Sequence, residues 1–170
     1  GGYNGDDHNG NILVLGVEEW RPQLGLIDYG QVKTLTKEER LVFCRLILAL
    51  ADDDKDGVVK ALKEAGYKSA RMDEEIMYIF ARVAYDEDNE TLTQGKHIQL
   101  FMEHLHDSDP VIHLPQQYIL ASRVSILLRG LGHSCHQSRS VAKAWRPRRA
   151  RPGRWATSPA CLSWLDGWMA

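Results

Sequence analysis

Two short stretches near the start of the chain decide the fold prediction: DDHNGNILVL at residues 6–15 and QLGLIDYG at residues 23–30. Each stretch contains a run of apolar, partly β-branched residues. The seven residues between the runs include a glycine, a proline and two acids. Two such runs around a turn-rich segment are typical of paired strands. We therefore predict a hairpin, or two adjacent strands, over residues 11–15 and 23–27.

Polar residues stand at the open end of this predicted hairpin. Asn11 opens the first strand and Asp28 follows the second, so pairing of the strands brings the two side chains to one end. Mg²⁺ prefers oxygen ligands, and such a pair could clamp a metal ion that bridges phosphate oxygens. Asp6 lies far enough ahead to face a nucleophile as a base or an orienting group, and Gly30 would allow a sharp backbone turn after Asp28. Turn formation is the competing interpretation, because Asp, Asn and Gly are common turn residues.

The spacing of apolar residues becomes helical after residue 30. A capping box at Thr36 and Glu39 predicts the start of a helix that is apolar on most faces and should lie centrally in the fold. Further helices are expected over 58–65 with a stop at Gly66, from the cap Asp73 through Val83, over 95–106, and from Pro115 as first residue through Leu131.

Length and composition exclude several classes of protein. The 170 residues are 44% hydrophobic and 26% charged, which suits one globular domain and not a disordered, collagen-like or coiled-coil chain. A net charge of −2 gives no overall attraction to nucleic acid. The three cysteines are too few and too scattered for a disulfide framework or a zinc site. No apolar run approaches the roughly 20 residues of a membrane helix.

Two further patterns resemble metal sites only weakly. Residues 52–57 match the first half of a calcium-binding EF-hand loop, but Lys63 stands where the bidentate glutamate should be. An acidic turn between two helices is the simpler interpretation. The histidines between residues 97 and 136 fit no standard ligand spacing, so we expect surface or partly buried side chains there.

The C-terminal segment differs in composition from the rest of the chain. Residues 139–154 hold seven basic residues and no acid, and four of the five tryptophans lie in the last 26 residues. Such a segment could bind nucleic acid or anionic lipid, and the alternative is a solvated, poorly ordered terminus. We assign residues 135–170 to this tail and residues 1–134 to the folded domain, which divides into the loops and hairpin at 1–31 and the helical part at 32–134.

Together these residues resemble a known family, the aarF-domain or UbiB-like atypical kinases. In that family the catalytic loop usually reads Asp-Pro-His-Pro-Gly-Asn before an apolar strand, and the metal loop reads Asp-Phe-Gly or a close variant. The segments at 128–132 and 140–145 are also similar to the family's C-terminal helices. The resemblance covers roughly residues 1–147.

The resemblance implies a role for each loop residue. Asp6 corresponds to the catalytic aspartate, and Asn11 and Asp28 correspond to the metal ligands. The remaining matched loop positions, which we assign to cofactor binding, are His8, Gly10 and Gly30.

The chain departs from the family pattern at two positions in the catalytic loop. Asp7 and Asn9 replace the usual prolines, so the loop loses two fixed φ angles, and Asp7 adds a negative charge beside Asp6. Tyr29 in place of phenylalanine is a mild change, since both rings can pack.

A mainly α (α+β) fold is what the resemblance implies, with a hairpin followed by a helical kinase-like C-lobe. It implies Mg²⁺ and ATP as cofactors, phosphoryl transfer as the reaction, and a link to isoprenoid-quinone or other lipid metabolism in mitochondria, plastids or bacteria. Peripheral membrane association would fit such a role, and no nucleic-acid partner is expected.

Activity of this chain alone is a separate question. A kinase also uses a nucleotide-covering loop, a strand lysine and a helix glutamate upstream of the catalytic loop, and only five residues precede Asp6 here. We therefore expect a C-lobe fragment without its N-lobe, weak or absent ATP binding, and no measurable phosphoryl transfer by this chain. The alternative is a pseudokinase relic in which residues 32–134 form a non-catalytic helical module that binds a protein or a lipid-like partner.

Overall fold

The computed structural model describes residues 2–6, 8–18, 20–87 and 90–145. Within these residues the fold is mainly α with three two-stranded antiparallel ladders, which confirms the predicted fold class. The strands are β1 (Gly2–Asn4), β2 (Ile12–Leu15), β3 (Gln23–Leu26), β4 (Val32–Thr34), β5 (Lys68–Ser69) and β6 (Val111–His113). The helices are α1 (Lys37–Ala51), α2 (Lys55–Glu64), α3 (Glu74–Tyr85), α4 (Glu90–Thr93), α5 (Ile98–Ser108), α6 (Gln116–Ser134) and α7 (Val141–Trp145).

The predicted hairpin is present as β2 and β3. Ile12 pairs with Leu26 at the open end, and Leu15 pairs with Gln23 next to the turn. Asn11 itself belongs to a short 3-10 turn at residues 9–11, but its carbonyl still accepts the amide of Ile27 at 3.0 Å. The pairing therefore continues one residue beyond the strands, to the start of both polar loops.

A second ladder, which the sequence analysis did not predict, pairs the strand before the first polar loop with the strand after the second. β1 pairs with β4, with Gly2 opposite Thr34, and the amide of Gly5 extends the ladder by donating to the carbonyl of Gln31 at 2.8 Å. The loop between β1 and β2 and the loop between β3 and β4 are thus each held by a ladder at both ends. Strands of three residues give too short an alternation of apolar and polar residues to be found from sequence.

Helix α1 is central, as its apolar pattern predicted. Both halves of the capping box are formed: the amide of Glu39 donates to Thr36 Oγ1 at 3.2 Å, and the amide of Thr36 donates to Glu39 Oε2 at 2.8 Å. Leu46 and Leu50 are completely buried, and α1 packs against α2, α3 and α7.

Replacing Thr36 by alanine is expected to lower the free energy of unfolding by about 1 kcal/mol, because the variant lacks the acceptor for the first helical turn. Urea denaturation followed by circular dichroism would measure the change. Thr36→Ser keeps the hydroxyl and serves as the control, with an expected loss well below that of alanine. Equal losses for the two variants would show that the methyl packing, and not the cap, is what stabilises this helix end.

Helix boundaries differ from the prediction where side-chain caps decide the first turn. α2 begins at Lys55 and not at residue 58, because Asp54 Oδ1 accepts the amide of Gly57 at 3.0 Å. α5 begins at Ile98 and not at 95, since Gly95 has φ +72° and His97 is the cap. Gly66 does follow the end of α2 with φ +90°, as expected of a left-handed stop.

Pro115 is the cap of α6 and not its first residue, because α6 starts at Gln116. α6 runs for 19 residues through Ser134 and is the longest helix among the described residues. Its N-terminal half lies beside the two polar loops, as the contacts below show.

Helix α7 lies in the segment that the sequence analysis assigned to the tail. Ala142 is completely buried against the core that α1 forms with its neighbours, and Trp145 is partly buried there. The completely buried carboxylate of Asp86 accepts the hydroxyl of Ser140 and, at 2.9 Å, the amide of Ala142. The basic and tryptophan-rich residues from 146 onward lie outside the described residues.

The third ladder, β5 with β6, joins the start of α3 to the end of α5 through Asp109. This carboxylate is completely buried and accepts three hydrogen bonds, from Ser69 Oγ at 2.7 Å, from the amide of Arg71 at 2.7 Å and from the amide of Asp73 at 3.0 Å. Burial alone disfavours the charged form, but these donors outweigh it and hold the pKa of Asp109 below its ordinary value. No helix in the described part of the chain is long and apolar enough to cross a membrane.

Candidate active site

The loop between β1 and β2, which corresponds by resemblance to the catalytic loop and keeps that label here, is organised around the main chain of Asp6. The carbonyl of Asp6 accepts the amide of His8 at 2.9 Å and the side-chain Nδ2 of Asn11 at 3.0 Å. His8 Nδ1 in turn accepts the amide of Gly10 at 3.0 Å, and a side chain at position 10 would meet the His8 ring at 2.9 Å. His8 and Gly10 therefore shape the loop, while Asp7 lies outside the described residues.

The loop between β3 and β4, which corresponds by resemblance to the metal loop and keeps that label, turns at Asp28. Asp28 has φ +65°, in the left-handed region, whereas no such angle occurs at Gly30, so the sharp turn expected at Gly30 is found two residues earlier. The amide of Gly30 donates to Asp28 Oδ1 at 2.9 Å, which forms a local turn of the kind that lets aspartate occupy this conformation.

Asn4 joins the two loops, and sequence reasoning missed it. Its Oδ1 accepts the amide of Asp6 at 3.3 Å, and its Nδ2 donates to the carbonyl of Asp28 at 3.0 Å. One amide side chain thus fixes the start of the catalytic loop relative to the metal loop. Asn4 gave no sequence signal beyond being a polar residue two positions before Asp6.

Asn11 and Asp28 lie at the same end of the β2–β3 hairpin, and each keeps one oxygen for a further ligand. The amide nitrogen of Asn11 is used by the carbonyl of Asp6, so its Oδ1 is the atom left as an acceptor. Asp28 Oδ1 accepts Gly30, and among the described residues no donor reaches Asp28 Oδ2. Asn11 is buried, with 8% of the residue exposed, whereas Asp28 is exposed, so Asp28 is the more accessible of the two side chains.

This donor set fits Mg²⁺. Both available atoms are hard oxygens, and magnesium in nucleotide sites is commonly held by one or two side chains together with waters and phosphate oxygens. No group of three or more His, Cys, Asp or Glu side chains in the described residues could hold a metal ion by itself. Asn11 and Asp28 could therefore supply two oxygen ligands, and an ion bound there would take its other ligands from groups other than these two side chains.

Asp6 is paired with a residue far away in sequence. Its Oδ1 accepts Arg123 Nη2 at 2.8 Å, and Arg123 Nη1 donates to Gln31 Oε1 at 3.1 Å. The Asp6 side chain is 19% exposed and that of Arg123 is 47% exposed. A single guanidinium on α6 thus contacts the catalytic loop and the residue that follows Gly30. Arg123 carried no local signal in the sequence, because its partner lies 117 positions away.

One stripe of α6 supports both loops. Gln117, Leu120 and Arg123 follow one another at intervals of three residues on α6, and the side chain of Leu120 lies against Gly5. The hydroxyl of Tyr3 donates to the carbonyl of Gln117. Burial, with a contribution from the carboxylate of Glu39, raises the pKa of Tyr3 to about 12, so the hydroxyl stays a donor at neutral pH.

The acidic side chains of residues 52–57, the segment that resembles an EF-hand loop, form structural contacts. Asp54 caps α2, Asp53 pairs with Arg82 at 2.7 Å, and Lys63 pairs with Glu74 at 2.8 Å. These contacts suit the interpretation of residues 52–57 as a turn between two helices.

Comparison with protein families gives one match, to the ABC1 atypical kinase-like domain, over residues 1–62. Residues 1–62 are therefore similar to the ABC1 atypical kinase-like domain. The match includes both loops, the hairpin, α1 and most of α2. Neither the comparison with curated proteins nor the comparison with solved structures gives a match.

The ABC1-like segment therefore contains every loop residue that the sequence analysis selected. The structure places Asn11 and Asp28 at one end of the hairpin and Asp6 beside them through the contacts of Asn4. Arg123, which completes the surroundings of Asp6, lies beyond the residues that the ABC1 family model matches.

Proposed function

We propose that the two loops form the Mg²⁺–ATP site of an atypical kinase or ATPase, with weak nucleotide binding by this chain alone and phosphoryl transfer only together with a nucleotide-covering loop and a strand lysine. The observation that carries this proposal is the placement of Asn11 and Asp28 at the same end of the β2–β3 hairpin, each with one side-chain oxygen that accepts no hydrogen bond from the described residues. The match of residues 1–62 to the ABC1 atypical kinase-like domain supports it.

The proposal gives each residue a separate task. Asn11 and Asp28 would hold the metal ion, which when bound neutralises charge on the phosphate oxygens. Asp6 would orient the attacking hydroxyl or accept its proton, and His8, Gly10 and Gly30 would keep the loops in shape. A lipid or isoprenoid-quinone pathway component as the phosphoryl acceptor belongs to the proposal by family resemblance alone.

Paramagnetic Mn²⁺ in the presence of ATP tests the metal site directly, because it broadens the NMR signals of nearby amides even when binding is weak. Broadening should concentrate on the amides of the loops at 8–11 and 28–31. Asp28→Asn removes a charged ligand and should lower the metal affinity at least about tenfold, since a charge-assisted contact contributes roughly 1.5–3 kcal/mol.

Asp56→Asn is the matched control, because Asp56 is an exposed acid on α2 outside the two loops. It should leave the broadening unchanged. Broadening spread over all exposed acids in the wild-type protein, or equal broadening in Asp28→Asn, would remove the basis for the metal site and for ATP binding through it.

A non-catalytic interaction module is the second candidate function, and the groove between α5 and α6 favours it. Ile112 is 70% exposed and Ile119 is 49% exposed there, beside Phe80 and Met102. If this role is the relevant one, Ile112→Asp should change the cellular phenotype of the protein and Asn11→Ala should not. The reverse result would favour the metal site.

A further inference from the structure

We propose that Arg123 is a positioning residue that sets the metal affinity of Asn11 and Asp28 without touching the ion. This inference rests on the proposed function and deepens it, because it assigns control of the metal site to α6. We call the contacts of Arg123 with Asp6 and Gln31 the Arg123 clamp.

The first argument is a continuous set of contacts from Arg123 to the Asn11 ligand atom. Arg123 Nη2 holds Asp6 Oδ1 at 2.8 Å, and the carbonyl of the same Asp6 accepts Asn11 Nδ2 at 3.0 Å. The position of Asp6 therefore determines which way the Asn11 amide turns, and so where Asn11 Oδ1 lies. The bond to Asp6 is the contact that orients this amide.

The second argument concerns the metal loop. Arg123 Nη1 donates to Gln31 Oε1 at 3.1 Å, and the carbonyl of Gln31 accepts the amide of Gly5 at 2.8 Å. Gln31 directly follows Gly30, whose amide binds Asp28 Oδ1. The planar guanidinium thus fixes both loops with two donors in a rigid geometry that a lysine cannot reproduce.

The third argument is that the Arg123 clamp is a poor stabiliser. With the Arg123 side chain 47% exposed, solvent weakens its ion pair, and such pairs contribute little to folding. Contacts that orient ligands, in contrast, commonly change metal affinity by 10- to 100-fold. The expected effect of Arg123 is therefore on the site and not on overall stability.

The charge of Arg123 alone predicts the opposite change in metal affinity, and this difference makes the proposal testable. Arg123 is a cation near a cation site, so its removal should raise metal affinity if only Coulomb repulsion matters. Positioning predicts that affinity falls by about tenfold in Arg123→Met despite the lost repulsion. Arg123→Lys keeps the charge but not the contact with both Asp6 and Gln31. We therefore expect the metal affinity of this variant to fall as well.

The experiment combines Mn²⁺ affinity in the presence of ATP with amide hydrogen exchange of the two loops and thermal unfolding. Arg123→Met and Arg123→Lys should both bind Mn²⁺ more weakly and exchange faster at residues 8–11 and 28–31, with nearly unchanged melting temperature. Arg45→Met is the matched control, because Arg45 forms a comparable half-exposed pair with Glu64 away from the loops.

The outcomes separate this inference from the proposed function. Unchanged or higher Mn²⁺ affinity in both Arg123 variants would overturn the positioning role of Arg123 but would not contradict the proposed metal site. If the wild-type protein binds no metal, the proposed function fails, and hydrogen exchange alone then decides whether the Arg123 clamp orders the loops. Exchange that is no faster in Arg123→Met than in Arg45→Met counts against the clamp in either case.

Discussion

Replacing Asp109 by alanine is expected to lower the free energy of unfolding by about 3–4 kcal/mol. The change leaves the hydroxyl of Ser69 and the amides of Arg71 and Asp73 without their acceptor inside the fold. Each donor left without a partner costs roughly 1–3 kcal/mol, although the costs do not add fully. Urea unfolding at neutral pH would measure the loss.

The pKa of Asp109 also leads to a prediction of how the stability of the protein depends on pH. Its pKa is lowered in the folded protein, so as the pH falls the unfolded chain takes up the proton before the native state does. The contribution of Asp109 is therefore fully present above its ordinary pKa of about 3.9 and is lost as the pH falls through the lower, folded-state value.

Asp109→Asn separates the charge from the hydrogen bonds. The asparagine keeps one acceptor oxygen and should cost less than alanine at neutral pH, and its acid unfolding should be less steep than that of the wild-type protein. Identical acid unfolding of the wild type and Asp109→Asn would mean that other carboxylates dominate the acid transition.

The second large effect is expected at Asp86, whose carboxylate holds α7 in place. Asp86→Ala leaves the amide of Ala142 and the hydroxyl of Ser140 without their acceptor, in a region where Ala142 is completely buried. We expect a loss of about 2–3 kcal/mol and faster amide exchange at residues 142–145.

Hydrogen exchange read by NMR or mass spectrometry would locate the Asp86 effect. Asp86→Asn retains an acceptor for both donors and serves as the control, with a smaller loss and slower exchange than alanine. A loss of stability spread evenly over all helices, with α7 no more affected than α2, would contradict a local role in docking α7.

The predictable parts of the fold are those whose structure is determined by residues close together in the sequence. The hairpin follows from two apolar runs around a turn, and α1 follows from the Thr36–Glu39 capping box and its apolar faces. The placement of Asn11 and Asp28 at one end of the hairpin follows from strand pairing alone. In each case the residues that decide the structure are neighbours in the chain or in the hairpin.

The parts that were not predictable depend on partners far apart in sequence. β1 and β4 are three residues each and pair across 28–32 positions of the sequence. Arg123 contacts Asp6 across 117 positions, and Asp86 binds α7 across more than 50. No periodicity or motif in the sequence indicates which residues form such long-range contacts. The positive φ of Asp28 was also missed, because a glycine two residues later is the more usual candidate for a sharp turn.

The separation of Asp6 from Arg123 has a consequence for how the protein is made. Chains are synthesised from the N-terminus at roughly 5–20 residues per second, so about 6–23 seconds pass between the addition of these two residues. The hairpin can form early from local contacts, but the Arg123 clamp has to wait for α6. A nascent chain arrested before residue 123 would carry all the proposed metal ligands and still lack the contact that orders them.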